Sequence, residues 1–269
     1  MTELALIAGA GALPRLLAAA LGEPFILAEL EGIRSEVAAE PLCFRLERLV
    51  PFLEHLHGLG VRRVVLAGGV RRPRLDPELF DSRTAALVPR LLAAMQGGDD
   101  AALRLTIGIF EDWGFEVLGP DQVAPDLVPG AGVLTGAPSP QDEADAARAA
   151  AIVAAIGAED LGQGAVVVQG LCLATEALPG TDAMLDFAAR HRGLLPDPAP
   201  RSGVLYKAPK PRQDRRVDLP AIGPDTVARA AAAGLAGIAW EAGGVLLLDR
   251  AATLAAAEAA GLFLWSRLP

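Results

Sequence analysis

The chain is 269 residues long, 52% hydrophobic and 21% charged, with a formal net charge of −9. That length accommodates two medium domains or one large one, and that composition supplies cores and excludes a disordered chain. The acidic balance excludes a general nucleic-acid binder, which needs a broad basic surface to neutralise phosphates.

The first half alternates short apolar runs with helical patterns. LALIAGAG (4–11) reads as a buried strand entering a glycine turn, and LPRLLAAALG (13–22) as the following helix, with Pro14 near its start where a missing N–H is harmless. PFILAEL (24–30) is a second strand. ERLVPFLEHLHGLG (47–60) has helical spacing, and VRRVVLAGG (61–69) is a strand running into another glycine turn. Two helical patterns, 84–95 and 101–114, precede FEVLGP (115–120). Strand, crossover and strand in this order predict an α/β domain over 1–130 with a Rossmann-like parallel sheet.

Proline and glycine then crowd residues 120–141, and a linker is placed at 131–140. The second domain, 141–269, opens on an alanine-rich helix (142–157). A strand AVVVQG (165–170), an extended LCLATEA (171–177), a helix (183–193) and an extended GVLYKAPKP (203–211) follow. A helix DTVARAAAAG (225–234), a strand pair around GIAWEAGGVLLLD (237–249) and an amphipathic segment complete it. This half is also α/β, with a mixed sheet expected.

Cys43 and Cys172 lie far apart without metal-ligand spacing, which points to a reduced, cytoplasmic compartment. His55, His57 and His191 form no ligand constellation. The amino terminus carries an acid where a signal peptide is basic, and no apolar run reaches the length of a spanning helix.

Several stretches carry candidate chemistry. Gly9 and Gly11 lie between a strand and a helix, where the N–H groups of Gly11, Ala12 and Leu13 suit a phosphate. The third glycine of a dinucleotide fingerprint is missing, because Pro14 stands there, and Glu29 or Glu31 fits a ribose contact only loosely. AGGVRRP (67–73) sets Gly68, Gly69 and Val70 beside Arg71 and Arg72, whose guanidinium groups bind phosphate oxygens in pairs. Gln169 and Gly170, closing AVVVQG, and Thr181 and Asp182, before a helix, are further ligand candidates; helix capping accounts equally for the latter pair.

The densest signal is at 206–225. The chain has 22 arginines and two lysines, and both lysines, Lys207 and Lys210, fall in YKAPKP beside its single tyrosine. Arg212, Arg215 and Arg216 follow, interleaved with Asp214, Asp218 and Asp225 among four prolines that forbid a helix between 209 and 224. Cations that stabilise a transferring phosphate beside carboxylates that hold a divalent metal suit phosphoryl chemistry. A stiff structural loop explains the same residues.

LALIAGAGALP, LAGGVRRP, LATEALPGTDAML and KAPKPRQDRRVDLPAIGPDTV…GIAWEAGGVLLLDR together resemble the UDP-2,3-diacylglucosamine pyrophosphatases of the LpxI type, across the whole chain and in order. The resemblance implies two α/β domains joined by a linker, with a lipid-bearing ligand between them. It implies hydrolysis of UDP-2,3-diacylglucosamine to UMP and 2,3-diacylglucosamine 1-phosphate (lipid X) in lipid A biosynthesis, with magnesium or another divalent metal as cofactor. The family's essential aspartate falls on Asp225, as a metal ligand or a water-orienting group. Asp214 and Asp218 complete the expected metal shell, and Lys207, Lys210, Arg215 and Arg216 the expected pyrophosphate contacts. Ala10 stands where relatives commonly have glycine. Peripheral contact with the inner membrane and a homodimer are compatible with this reading, and neither has a sequence signal. A non-catalytic carrier of acylated sugar phosphates and an NAD(P)-binding oxidoreductase are the alternatives.

Overall fold

A computed structural model describes residues 2–70, 75–96, 99–198 and 201–269. The chain divides into two compact units, Met1–Pro125 and Asp126–Pro269.

The first unit runs β1 (Leu4–Ala8), α1 (Ala12–Ala20), β2 (Phe25–Leu30), β3 (Leu42–Phe44), α2 (Leu49–Gly58), β4 (Arg63–Ala67), α3 (Ser82–Ala85), α4 (Val88–Gln96), α5 (Asp99–Asp112), β5 (Glu116–Leu118) and α6 (Pro120–Val123). Its five strands are all parallel in the order β3-β2-β1-β4-β5. Strands buried on both faces explain the unbroken apolar runs, with Leu4, Ala5, Leu6, Val64 and Val65 almost fully buried. The strand order reverses direction at β1 and β4. Open sheets of this kind leave a crevice there, beyond the carboxyl ends of the strands. The helix expected over 84–95 is two helices, α3 and α4.

The second unit runs β6 (Gly132–Thr135), α7 (Pro140–Ala158), β7 (Gly164–Val168), β8 (Leu171–Thr175), α8 (Gly180–His191), β9 (Val204–Lys207), β10 (Ala221–Ile222), α9 (Pro224–Ala232), β11 (Gly237–Glu241), β12 (Leu246–Leu247), α10 (Arg250–Ala260) and β13 (Phe263–Arg267). Its sheet is mixed, ordered β6-β13-β11-β9-β7-β8. β9, β11 and β13 are parallel, while β6 and β7 run against their neighbours β13 and β9. The period-2 alternation of each strand sorts its residues into two cores. Val166, Leu205, Ile238, Trp240 and Leu264 pack with Leu185, Val227 and Ala257 of α8, α9 and α10. Ala165, Val167, Val204, Tyr206 and Ala239 pack with Ala146, Ala149 and Val153 of α7.

Three expectations need correction here. Gly132–Thr135, expected within a linker, is a strand of the second sheet paired with β13. β11 and β12 are not paired with each other, since β12 pairs in parallel with β10 in a separate two-stranded sheet. The closing amphipathic segment is α10 followed by β13, which lies between β11 and β6. Short strands between glycines and prolines carry too few residues to show a period, so tertiary pairing decides them.

In the first unit the two glycine turns meet. The Gly9 amide donates to Ala67 O at 2.7 Å, and the Ala10 and Gly69 backbones exchange hydrogen bonds at 2.9 Å. A Cβ on Gly68 would stand 2.8 Å from Ala10 O and 2.8 Å from the Pro14 ring, and its φ is +91°. We expect Gly68→Ala to destabilise the protein by about 2 kcal/mol or more, since backbone cannot yield as a side chain can. A lowered urea midpoint checks this, and an unchanged one refutes it.

Candidate functional site

Alternation places the second unit's site. In VLYK, Leu205 faces α8 and α9 and Tyr206 faces α7, so Lys207 must point back under α8 and α9 at the carboxyl end of β9. Lys207 is 4% exposed. Its Nζ donates to Thr181 Oγ1 at 2.7 Å and to Ala221 O at 3.3 Å. Glu176, just beyond β8, brings Oε2 to 3.9 Å from the ammonium. That oxygen is buried without a hydrogen-bond partner among the described residues.

Gly164 makes this approach possible. It pairs directly with Lys207 across β7 and β9, and a Cβ there would lie 2.5 Å from Glu176 Oε2. Thr181 lies in the first turn of α8, and Ala221 lies four residues before Asp225 in the first turn of α9. One ammonium therefore ties together the end of β9, the start of α8 and the strand leading into α9. Arg229 of α9 joins α8 a second time, 3.3 Å from Asp182 and 2.8 Å from Asp186, in an exposed network worth little by itself.

Asp225 is exposed, and the positive end of the helix dipole favours its charge. The N-cap of α9 is Gly223, whose amide donates to Thr226 Oγ1 at 3.3 Å, so capping does not engage the Asp225 carboxylate. Thr181 and Asp182 likewise do not cap α8 through their side chains, and Thr181 serves Lys207 instead.

The other charged groups of the loop are engaged within the protein, Arg212 through the Ala158 carbonyl at 3.2 Å. Lys210 binds Asp160, just past α7, and its amide donates to Gln213 Oε1 at 2.8 Å. Arg215 meets Glu241 at the end of β11 at 2.6 Å, and Arg216 clasps Asp214 at 2.7 Å. Asp218 accepts a hydrogen bond from Gln213 Nε2. Among the described residues no group of three or more His, Cys, Asp or Glu side chains is placed to hold a metal ion. Asp214, Asp218 and Asp225 thus make no ready-built cage. Asp214 is already engaged by Arg216 and Asp218 by Gln213.

Gln169 and Gly170 belong elsewhere. They form the β7–β8 turn at the opposite end of β7 from Gly164 and Lys207, and the buried carboxylate of Asp145 accepts both of their amides, at 2.9 and 2.7 Å. In the first unit Gly11, Ala12 and Leu13 stand with Gly68, Gly69 and Val70 at the crevice between β1 and β4. Gly11 caps α1 at φ 93° and ψ 179°, a conformation open essentially to glycine alone. Arg71 and Arg72 lie outside the described residues. Glu29, at the end of β2, is buried, and burial pushes its carboxyl up. The Ser35 hydroxyl and amide and the Arg34 guanidinium outweigh burial and hold it below the usual value. Its oxygens close their own loop, which counts against a ribose contact.

Sequence reasoning missed Glu176, Asp160 and Glu241. Their signal is weak because each finds its cation across 26 to 50 positions of chain.

Each unit is thus an α/β body with polar groups gathered at the carboxyl ends of parallel strands, the arrangement of proteins that bind anionic ligands. Comparison with known proteins agrees. The LpxI N-terminal domain matches residues 3–127 and the LpxI C-terminal domain matches residues 130–265. The chain belongs to the LpxI family. It is 42% identical to a Caulobacter vibrioides protein named UDP-2,3-diacylglucosamine pyrophosphatase LpxI, over 98% of this chain and 96% of that one.

Burial drives the Lys207 ammonium below the usual lysine value of 10.5, while Glu176, Asp182 and Asp218 pull it back up. Below the lowered value both folded and unfolded chains carry the charge, and folding bears the full desolvation. Between the lowered value and 10.5 the unfolded chain binds more protons, so stability rises with pH. Wild type should therefore gain stability relative to Lys207→Met as pH rises toward about 10.5, read from paired urea titrations. A difference independent of pH up to about 10.5 would refute the lowering by burial.

Proposed function

We propose that this protein hydrolyses the pyrophosphate bond of UDP-2,3-diacylglucosamine, releasing UMP and 2,3-diacylglucosamine 1-phosphate for lipid A biosynthesis. The observation that carries the reading is the match, over nearly the whole of both chains, to the Caulobacter vibrioides pyrophosphatase. The site is chemically suited to it. Asp225 presents an exposed carboxylate on a helix start held from below by Lys207, and such a group can orient an attacking water or bind a metal. A magnesium ion held by Asp225 and the pyrophosphate oxygens would supply charge neutralisation as the bond breaks. Lys207 acts as a brace: its buried ammonium fixes the first turn of α8 and the strand entering α9, so that Asp225 meets the phosphates in one orientation.

A nucleotide-cofactor oxidoreductase is disfavoured because Glu29 is engaged by Ser35 and Arg34. A carrier would share the site without turnover. Asp225→Ala should lower UMP release by about a hundredfold or more while the nucleotide lipid still binds. EDTA should abolish turnover and magnesium restore it. Near-normal activity in Asp225→Ala would reject this assignment, and no UMP from wild type with magnesium would reject hydrolysis itself.

A further inference from the structure

We propose that Glu176 is a positioning residue of the reaction: its buried carboxylate holds the Lys207 ammonium charged, and that charge keeps Asp225 in place. The assignment rests on the proposed function.

The fold makes room for this carboxylate. Glu176 follows β8, and its amide donates to Gly164 O at 2.8 Å, which fixes its backbone against β7. A Cβ on Gly162 would collide with Glu176 O, and one on Gly164 would stand 2.5 Å from Oε2. Glycine at both positions lets the side chain lie inward, 9% exposed, with Oε2 at 3.9 Å from Lys207 Nζ. That is beyond hydrogen-bond distance, and Oε2 has no other partner among the described residues. What this oxygen offers Lys207 is charge.

The hydrogen bonds of Lys207 do not decide its protonation. A neutral amine keeps two N–H groups, enough for Thr181 Oγ1 and Ala221 O. Burial disfavours the charge, and against it Glu176 pulls hardest, followed by Asp182 and Asp218. Asp182 has a side chain 60% exposed and paired with Arg229 of α9, which also meets Asp186. Asp218 is half-buried and accepts from Gln213. Water and these partners screen both, so Glu176 supplies the main counter-charge. Asp225 of α9 is exposed, and β7, β10 and β11 set Gly164, Ala221 and Trp240 beside Lys207, none of them ionisable.

Loss of the proton weakens the brace in two ways. Hydrogen bonds from an ammonium are about twice as strong as those from a neutral amine. A neutral Lys207 also strands the Glu176 charge in the interior, which drives the carboxylate toward water and opens the turn between β8 and α8. Both effects loosen the first turn of α8 and the strand entering α9, and with them Asp225.

The chain's two lysines permit a direct measurement. In protein labelled with ¹³C at lysine Cε, Lys207 and Lys210 give two signals, and Lys210→Arg identifies them. In Glu176→Gln, which keeps the shape and removes the charge, the Lys207 signal should titrate at lower pH than in wild type. The drop in kcat/KM between about pH 7 and about pH 9 should be about threefold or more larger than in wild type. A merely structural Glu176 would change activity equally at both pH values. An unmoved Lys207 titration, or a moved one with an unchanged pH profile, overturns the proposal. If Glu176→Gln does not fold, Glu176→Asp, which withdraws the carboxylate by one methylene, must shift both readouts in the same direction. Should wild type release no UMP, hydrolysis fails as a reading, and the Lys207 titration, which needs no substrate, then decides the Glu176–Lys207 pairing by itself.

Discussion

The buried ammonium of Lys207 is the constraint on which the second unit's site depends. A charge taken from water needs its donors satisfied and an opposite charge near, and leaving it unmatched costs about 3–5 kcal/mol. Thr181, the Ala221 carbonyl and Glu176 meet that need from three different elements. Because each lies at the start or end of an element, matching the charge also fixes where α8 and α9 begin. Gly164 is part of the same constraint, since a side chain there would push Glu176 off the ammonium. Asp225 inherits its position from this arrangement rather than from contacts of its own.

Both units place their polar groups by one rule. Parallel strands deliver their carboxyl ends to one edge, helices start there, and backbone N–H groups and short side chains converge. In the first unit the result is two interlocked glycine turns, where the main chains approach too closely for any side chain at Gly9 or Gly68. In the second it is a buried cation beneath two helix starts.

The charge-rich loop after β9 shows how composition can mislead. Its cations read as one basic patch, yet Lys210, Arg215 and Arg216 each have a carboxylate within the protein. Much of that charge stiffens the loop. Only the Arg216–Asp214 pair is local; Asp160 and Glu241 belong to elements far away in the chain, so nothing near the loop announces them.

The amino-acid sequence by itself determined the α/β class, the parallel first sheet, the glycine turns and the loop carrying Asp225. These are written in periodicity, in turn residues and in contiguous motifs, all of which act over a few positions. Tertiary structure decided that the Lys207 ammonium is buried against Thr181 and the Ala221 carbonyl, that Glu176 stands beside it, that Gln169 and Gly170 lie at the far end of β7, and that β6 and β13 belong to the second sheet. Those outcomes depend on which distant residues become neighbours. Strand pairing and the matching of a buried charge settle that question, and neither leaves a period in the chain.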